Sequence, residues 1–110
     1  MTELAQTIKL TGGEKVGIGP SVLNRLLTRE DPAGIMLGVS EFTPGEVEAE
    51  VNLDEILYIL EGEINIDGRG TSNRLVVGDC FWMPKGDKVI FRAGQPCKLL
   101  YIIIKDSPDR

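Results

Sequence analysis

The chain has 110 residues, 42% of them apolar and 26% charged, and 17 acidic against 12 basic side chains give a net charge of −5. That size and apolar share fit one folded domain over residues 1–110 and exclude a disordered or membrane-embedded chain. The acidic balance, with Lys85 and Lys88 isolated rather than clustered, argues against nucleic acid and anionic membrane as partners.

The first segment, about residues 1–14, reads as an amino-terminal arm. It lacks the basic start and apolar core of a secretory leader, so a cytoplasmic location is expected. Strands are expected from Val22 to Thr28 and from Gly34 to Phe42, joined by the turn-forming Glu30-Asp-Pro-Ala. For the first run a helix capped by Ser21 is the alternative, because Val22, Leu23, Leu26 and Leu27 also have helical spacing. Val47 to Asn52, Glu55 to Glu61 and Glu63 to Asp67 read as the next strands, with Gly62 marking a sharp bend. Asp67-Gly-Arg-Gly is a hairpin signal of the Asp-Gly type. Arg74 to Val77, Asp79 to Met83, Lys88 to Arg92 and Lys98 to Lys105 bring the total to about nine or ten strands. The polar tail, residues 106–110, is expected to fray. The run Leu99 to Ile104 is too short to span a membrane.

Glycine and proline punctuate this pattern at intervals of roughly 8–12 residues, which implies an all-β sandwich or barrel. Strands so short must close into a double-sheet roll with few free edges. Alternation then turns Glu55, Leu57 and Ile59 inward and Ile56, Tyr58 and Leu60 outward, and puts Val89 and Phe91 on one face. Outward apolar residues of that kind point to a homodimer face. Cys80 and Cys97 are too few for a disulfide framework and read as buried, reduced thiols. The chain has no histidine, so the usual base for a catalytic cysteine or serine is missing.

Two segments, Gly45 to Gly62 and Gly78 to Val89, resemble the two signature motifs of the cupin superfamily. Glu55 and Gly62 match the closing half of the first motif, and Gly78, Pro84 and Gly86 match the turn positions of the second. Val89 stands where a metal-binding histidine belongs and Ala93 where an asparagine belongs. Within cupins, Asn52 to Glu63, Gly78 to Asp87, Asp31 to Met36 and Lys98 to Ile103 are most similar to the ethanolamine-utilisation Q-type cupin, a likeness over roughly residues 31–105. The resemblance implies a double-stranded β-helix, or jelly-roll barrel, and a family that itself lacks the metal histidines. Members of that family carry a further amino-terminal region with no counterpart in these residues.

Placed on the cupin motifs with a three-residue spacing, Ala49 and Val51 fall at the first two ligand positions and Val89 at the last. The expected pocket is then lined by Ala49, Val51, Leu57, Phe81, Met83, Val89 and Tyr101, holds no metal, and contains one carboxyl, Glu55. Burial among aliphatic groups would raise the pKa of Glu55 and fit it as general acid or base, or as an anchor for an amine. The structural alternative is that Glu55 caps turn amides near Gly45 or bonds an inward tyrosine. A four-residue spacing would instead gather Glu48, Glu50 and Glu55, a set suited to Mg²⁺ or Mn²⁺. Of Phe81 and Trp82, on opposite faces of one strand, one is expected to line the pocket, and Lys85 sits at the pocket rim in cupins generally.

Three functions remain open on these residues. The first is metal-free binding of a small polar metabolite linked to ethanolamine or amine utilisation. The second is an enzyme, using Glu55 as acid or base or performing the acetate-kinase-type phosphoryl transfer that the resemblance implies. The third is an assembly part of a bacterial microcompartment.

Overall fold

A computed structural model describes residues 5–109. Residues 1–4 of the expected arm and Arg110 of the expected tail lie outside the described residues. Ten strands run in chain order: β1 (Glu14–Ile18), β2 (Ser21–Leu27), β3 (Ile35–Phe42), β4 (Gly45–Glu50), β5 (Glu55–Glu61), β6 (Glu63–Gly68), β7 (Thr71–Val76), β8 (Cys80–Met83), β9 (Lys88–Ala93) and β10 (Cys97–Ile104). The Ser21–Leu27 run is a strand, not the alternative helix, and β1, which begins where the expected arm ends, was not among the expected strands.

Every strand pair is antiparallel, in two sheets. The larger has the order β1-β2-β3-β10-β5-β8 and the smaller β4-β9-β6-β7. The two inner faces are set by period-2 alternation. In β10, Cys97, Leu99 and Tyr101 are buried while Lys98, Leu100 and Ile102 are only partly so. In β5, Leu57 and Ile59 are fully withdrawn and Tyr58 is exposed. A one-residue slip would turn every one of these side chains to the wrong face, so register is strongly fixed.

The interior is unevenly filled. Ile59, Ile64, Ile66, Leu75 and Cys97 fill the core on the β5–β6 side, and each large aliphatic buried there contributes about 1.5–3 kcal/mol. Towards β2 and β4 the space between the sheets stays open, and that gap is the cavity described below.

Two turns show how backbone chemistry places the strands. Gly62 has φ +74°, and a Cβ there would collide with the carbonyl oxygen of Pro96, so the β5–β6 bend accepts only glycine. The β6–β7 hairpin pairs Gly68 with Thr71, which makes Arg69 and Gly70, at φ 49° and 75°, its two central residues. The turn therefore lies two residues beyond the Asp67-Gly68 pair that the sequence suggested, and both central residues have the positive φ of a type I′ hairpin.

The tail expected to fray is tied back instead. Ser107 Oγ accepts a hydrogen bond from the Asp54 amide at 2.8 Å and donates to the Ile104 carbonyl at 2.6 Å. Lys85 Nζ pairs with Asp109 at 2.6 Å. Asp54, only 5% exposed, accepts the Lys85 amide at 2.8 Å, so one buried carboxylate pins the β8–β9 loop beside the start of β5. At the other end the arm crosses β2, where Asn24 Nδ2 donates to the Leu10 carbonyl at 2.7 Å.

Candidate functional site

A cavity of about 340 Å³ opens between the sheets. One wall is the inner face of β2, β3, β10 and β5, and the other is β4 and β9. Its lining is mostly carbon, and the polar groups on it are few: Glu55, Arg25, Tyr101, Ser21, Ser40, Thr28 and Glu50.

Glu55 opens β5, facing inward two residues before Leu57. Its neighbours in the sheet are Ile103 and Met83, both apolar, and no hydrogen bond reaches its carboxyl from any described residue. Loss of water without a replacement partner disfavours the charged form, and the carboxyl is pushed up to about 7. Among the described residues Glu55 bonds no turn amide and no tyrosine, the two partners of the structural alternative. Near neutral pH the cavity therefore holds a carboxyl divided between its acid and its anion.

The second polar group was not foreseen. Arg25 of β2 lies in register with Gly38 of β3, and Gly38 with Tyr101 of β10, so the three form one row across the sheet. Gly38 is buried, and a Cβ on it would overlap the ring and hydroxyl of Tyr101. The missing side chain is thus the space that the phenol occupies, and it carries the hydroxyl across β3 towards Arg25. Tyr101 is 7% exposed, its hydroxyl has no hydrogen-bond partner among the described residues, and burial raises its pKa against the lowering effect of the Arg25 charge. Among the described residues Arg25 is held only by Glu14 at 3.5 Å, in a pair whose side chains are 39% and 71% exposed. So long and solvated a contact stabilises little and leaves the guanidinium free to turn. Ser21 Oγ, four residues earlier on the same face, is buried without a partner.

Of the residues expected to line the pocket, Ala49, Val51, Leu57, Met83, Val89 and Tyr101 meet on this cavity. Phe81 does not; it packs against the core beside a separate concavity with Trp82, while Trp82 itself is 56% exposed on the outer face. Lys85 is also away from the cavity, paired with Asp109. The three-residue register holds along β4. Val47 and Ala49 turn in, while Glu46, Glu48 and Glu50 are exposed, with Glu46 taking Arg92 at 2.7 Å and Glu50 reaching only the cavity's rim. Among the described residues no three acidic, cysteine or histidine side chains gather as a metal site, so the Glu48, Glu50, Glu55 set is not assembled. Cys97 is buried, which pushes its thiol up to about 11, whereas Cys80 is exposed rather than buried as expected.

Against known proteins, the family described as Ethanolamine utilisation protein EutQ matches residues 3–107. The chain belongs to the EutQ family. A curated EutQ relative, the acetate kinase EutQ of Escherichia coli K12, is 29% identical over 80 residues, 73% of this chain but 34% of that protein. The chain thus spans about a third of the length of that EutQ relative. The crystal structure of an ethanolamine utilization protein Q from Salmonella typhimurium LT2 superposes with a TM-score of 0.73 at 26% identity, covering 77% of this chain and 69% of that one. An RmlC-like cupin from Shewanella frigidimarina matches with a TM-score of 0.75 over 92% of both chains at 18% identity. The fold is therefore a cupin, and the EutQ family ties the chain to ethanolamine utilisation.

Proposed function

We propose that the cavity seats the small acyl substrate of an acetate-kinase-type phosphoryl transfer in ethanolamine utilisation. The observation that carries this reading is a carboxyl poised near neutrality, without a partner among the described residues, in a mostly apolar cavity that also presents a guanidinium. The name of the curated relatives supports the reaction type. In that reaction a carboxylate oxygen of acetate attacks the γ-phosphorus of ATP, the new O–P bond forms as the β,γ-bridging bond breaks, and ADP departs. No proton need move. Magnesium enters with the nucleotide as part of the substrate. Glu55 contributes as the protonated acid, donating a hydrogen bond to an anionic oxygen. As an anion it would repel the same oxygen.

The test is direct. Purified protein given ATP and acetate forms acetyl phosphate, trapped as the hydroxamate, with matching ADP. The rate falls as pH rises through about 7, because Glu55 ionises there. The other titratable groups lining the cavity are Arg25, Tyr101 and Glu50, and Glu55→Gln, which keeps a neutral donor, removes the pH dependence. Glu55→Ala lowers kcat/KM about tenfold or more, equivalent to roughly 1.4 kcal/mol. Absence of acetyl phosphate at saturating substrates would leave the second reading, a cupin that binds its metabolite without turnover. The mostly apolar lining favours that reading, since it offers phosphates few cations.

The same reading includes a homodimer. The outer face of the larger sheet carries Ile56, Tyr58 and Leu60 beside Leu100 and Ile102, an uncharged apolar patch that a second copy of this chain would cover.

A further inference from the structure

We infer that Arg25 and the Tyr101 hydroxyl form an oxyanion seat on the inner wall of the cavity, which takes the carboxylate or phosphoryl end of a ligand with a short apolar body. The inference rests on the cavity's being a ligand site and names the group that orients the ligand there.

Three observations converge on it. Arg25, Gly38 and Tyr101 are register neighbours on three adjacent strands, so their places are fixed by the sheet and not by a loop. Gly38 has no Cβ, and only for that reason can the phenol lie across β3 towards β2. The Tyr101 hydroxyl is donor-competent and has no partner among the described residues, although the residue is 93% withdrawn from solvent by its 7% exposure. Lining the cavity without a partner among those residues, that hydroxyl is left to donate to whatever enters. A guanidinium and a phenol offer donors only towards an oxyanion, and charge-assisted bonds of this type are about twice as strong as neutral ones. Of the remaining lining, Leu23, Phe42, Val47, Leu57 and Phe91 suit a carbon chain, and Glu55 and the rim residue Glu50 are its other ionisable groups.

Glu14 makes the seat adjustable. It holds Arg25 from the β1 side at 3.5 Å, and a ligand oxyanion competes with it for the same guanidinium.

Three probes with matched carbon tails test the seat: butyrate, propylphosphonate and butylamine, titrated calorimetrically into the full chain. Butyrate or propylphosphonate binds and butylamine does not, and comparison of the two anions tells which oxyanion is preferred. Arg25→Gln and Tyr101→Phe each weaken anion binding tenfold or more without changing the melting temperature of the free protein. Glu14→Gln strengthens it severalfold, an effect that a merely structural Arg25 would not produce and one that remains readable if Arg25→Gln fails to fold. Anion binding unchanged in Arg25→Gln or in Glu14→Gln overturns the seat and leaves the ligand-binding cavity standing. Binding of butylamine alone does the same. Binding of none of the three overturns the cavity reading and the seat together.

Discussion

A single carboxyl, Glu55, links stability and chemistry in this molecule. Its folded pKa, about 7, lies above the 4.5 it has in the unfolded chain, so between those values the native state holds more protons than the unfolded one. Stability from this group is greatest near pH 4, declines as pH rises from about 4.5 to 7, and is flat beyond. At 1.36 kcal/mol per pKa unit the loss is on the order of 3 kcal/mol. Glu55→Gln, which cannot ionise, should therefore match wild type in urea unfolding near pH 4 and exceed it by roughly 2–3 kcal/mol at pH 8. Equal pH dependence in the two proteins would show that the carboxyl is solvated. Glu55 was legible from sequence because motif spacing and strand alternation both turn it inward. Arg25 was not. In Ser21-Val-Leu-Asn-Arg-Leu-Leu27 both alternate faces mix apolar with polar residues, so alternation gives no sign of which face meets the cavity.

At the scale of elements, glycines and alternation made most of the roll readable. β5, β8 and β10 carry enough β-branched and aromatic residues to declare themselves, and the bend at Gly62 lies where a positive φ is required. β1 stayed hidden because Glu14-Lys-Val-Gly-Ile has a single partly buried residue, Val16, and owes its strand form to pairing with β2. Gly38 was hidden for another reason. In a strand, glycine signals a close approach without saying what approaches. The register answers with Tyr101, which gives a prediction about the β3–β10 pair. Gly38→Ala should destabilise by about 1–3 kcal/mol, because the added methyl overpacks the phenol. Trimming the ring in Tyr101→Leu should relieve the clash, so the double variant should be markedly more stable than the sum of the single losses. Strict additivity in that double-mutant cycle, read from chemical denaturation, would mean that the ring does not lie over Gly38.

At the scale of the whole molecule, the arm lies over one end of the larger sheet's outer face. Val39 faces outward from β3 yet is 4% exposed, and its register partner Asn24 is 6% exposed and bonded to the Leu10 carbonyl, so the arm lies over this part of the larger sheet. Beyond it, across β10, β5 and β8, no described segment does the same. There Leu100 sits beside Tyr58 and Ile102 beside Ile56, and Tyr58 is 38% exposed. At the start of β10, Lys98 pairs with both Glu41 and Glu61 at 3.4 Å each and offsets one of their two negative charges, which lessens the repulsion between two copies of a chain of charge −5. A two-fold contact of this face with itself needs no complementary surface elsewhere. The expected result in light scattering is a particle of twice the 12.0 kDa chain mass. Tyr58→Glu, which buries two unpaired charges at the centre of such a contact, should return the mass to 12.0 kDa. Val77→Glu is the matched control, since Val77 is 59% exposed in the turn after β7 and lies off this face. A Tyr58→Glu protein that keeps the dimer mass, or a wild type that is monomeric at micromolar concentration, would remove the second copy as the cover. The cavity opens on the inner face of the same sheet, behind β10 and β5, so that Tyr101 and Glu55 sit on strands whose other side would carry the proposed contact. Pairing would therefore stiffen the wall that holds the ligand, and Tyr58→Glu should weaken anion binding even though it touches no ligand.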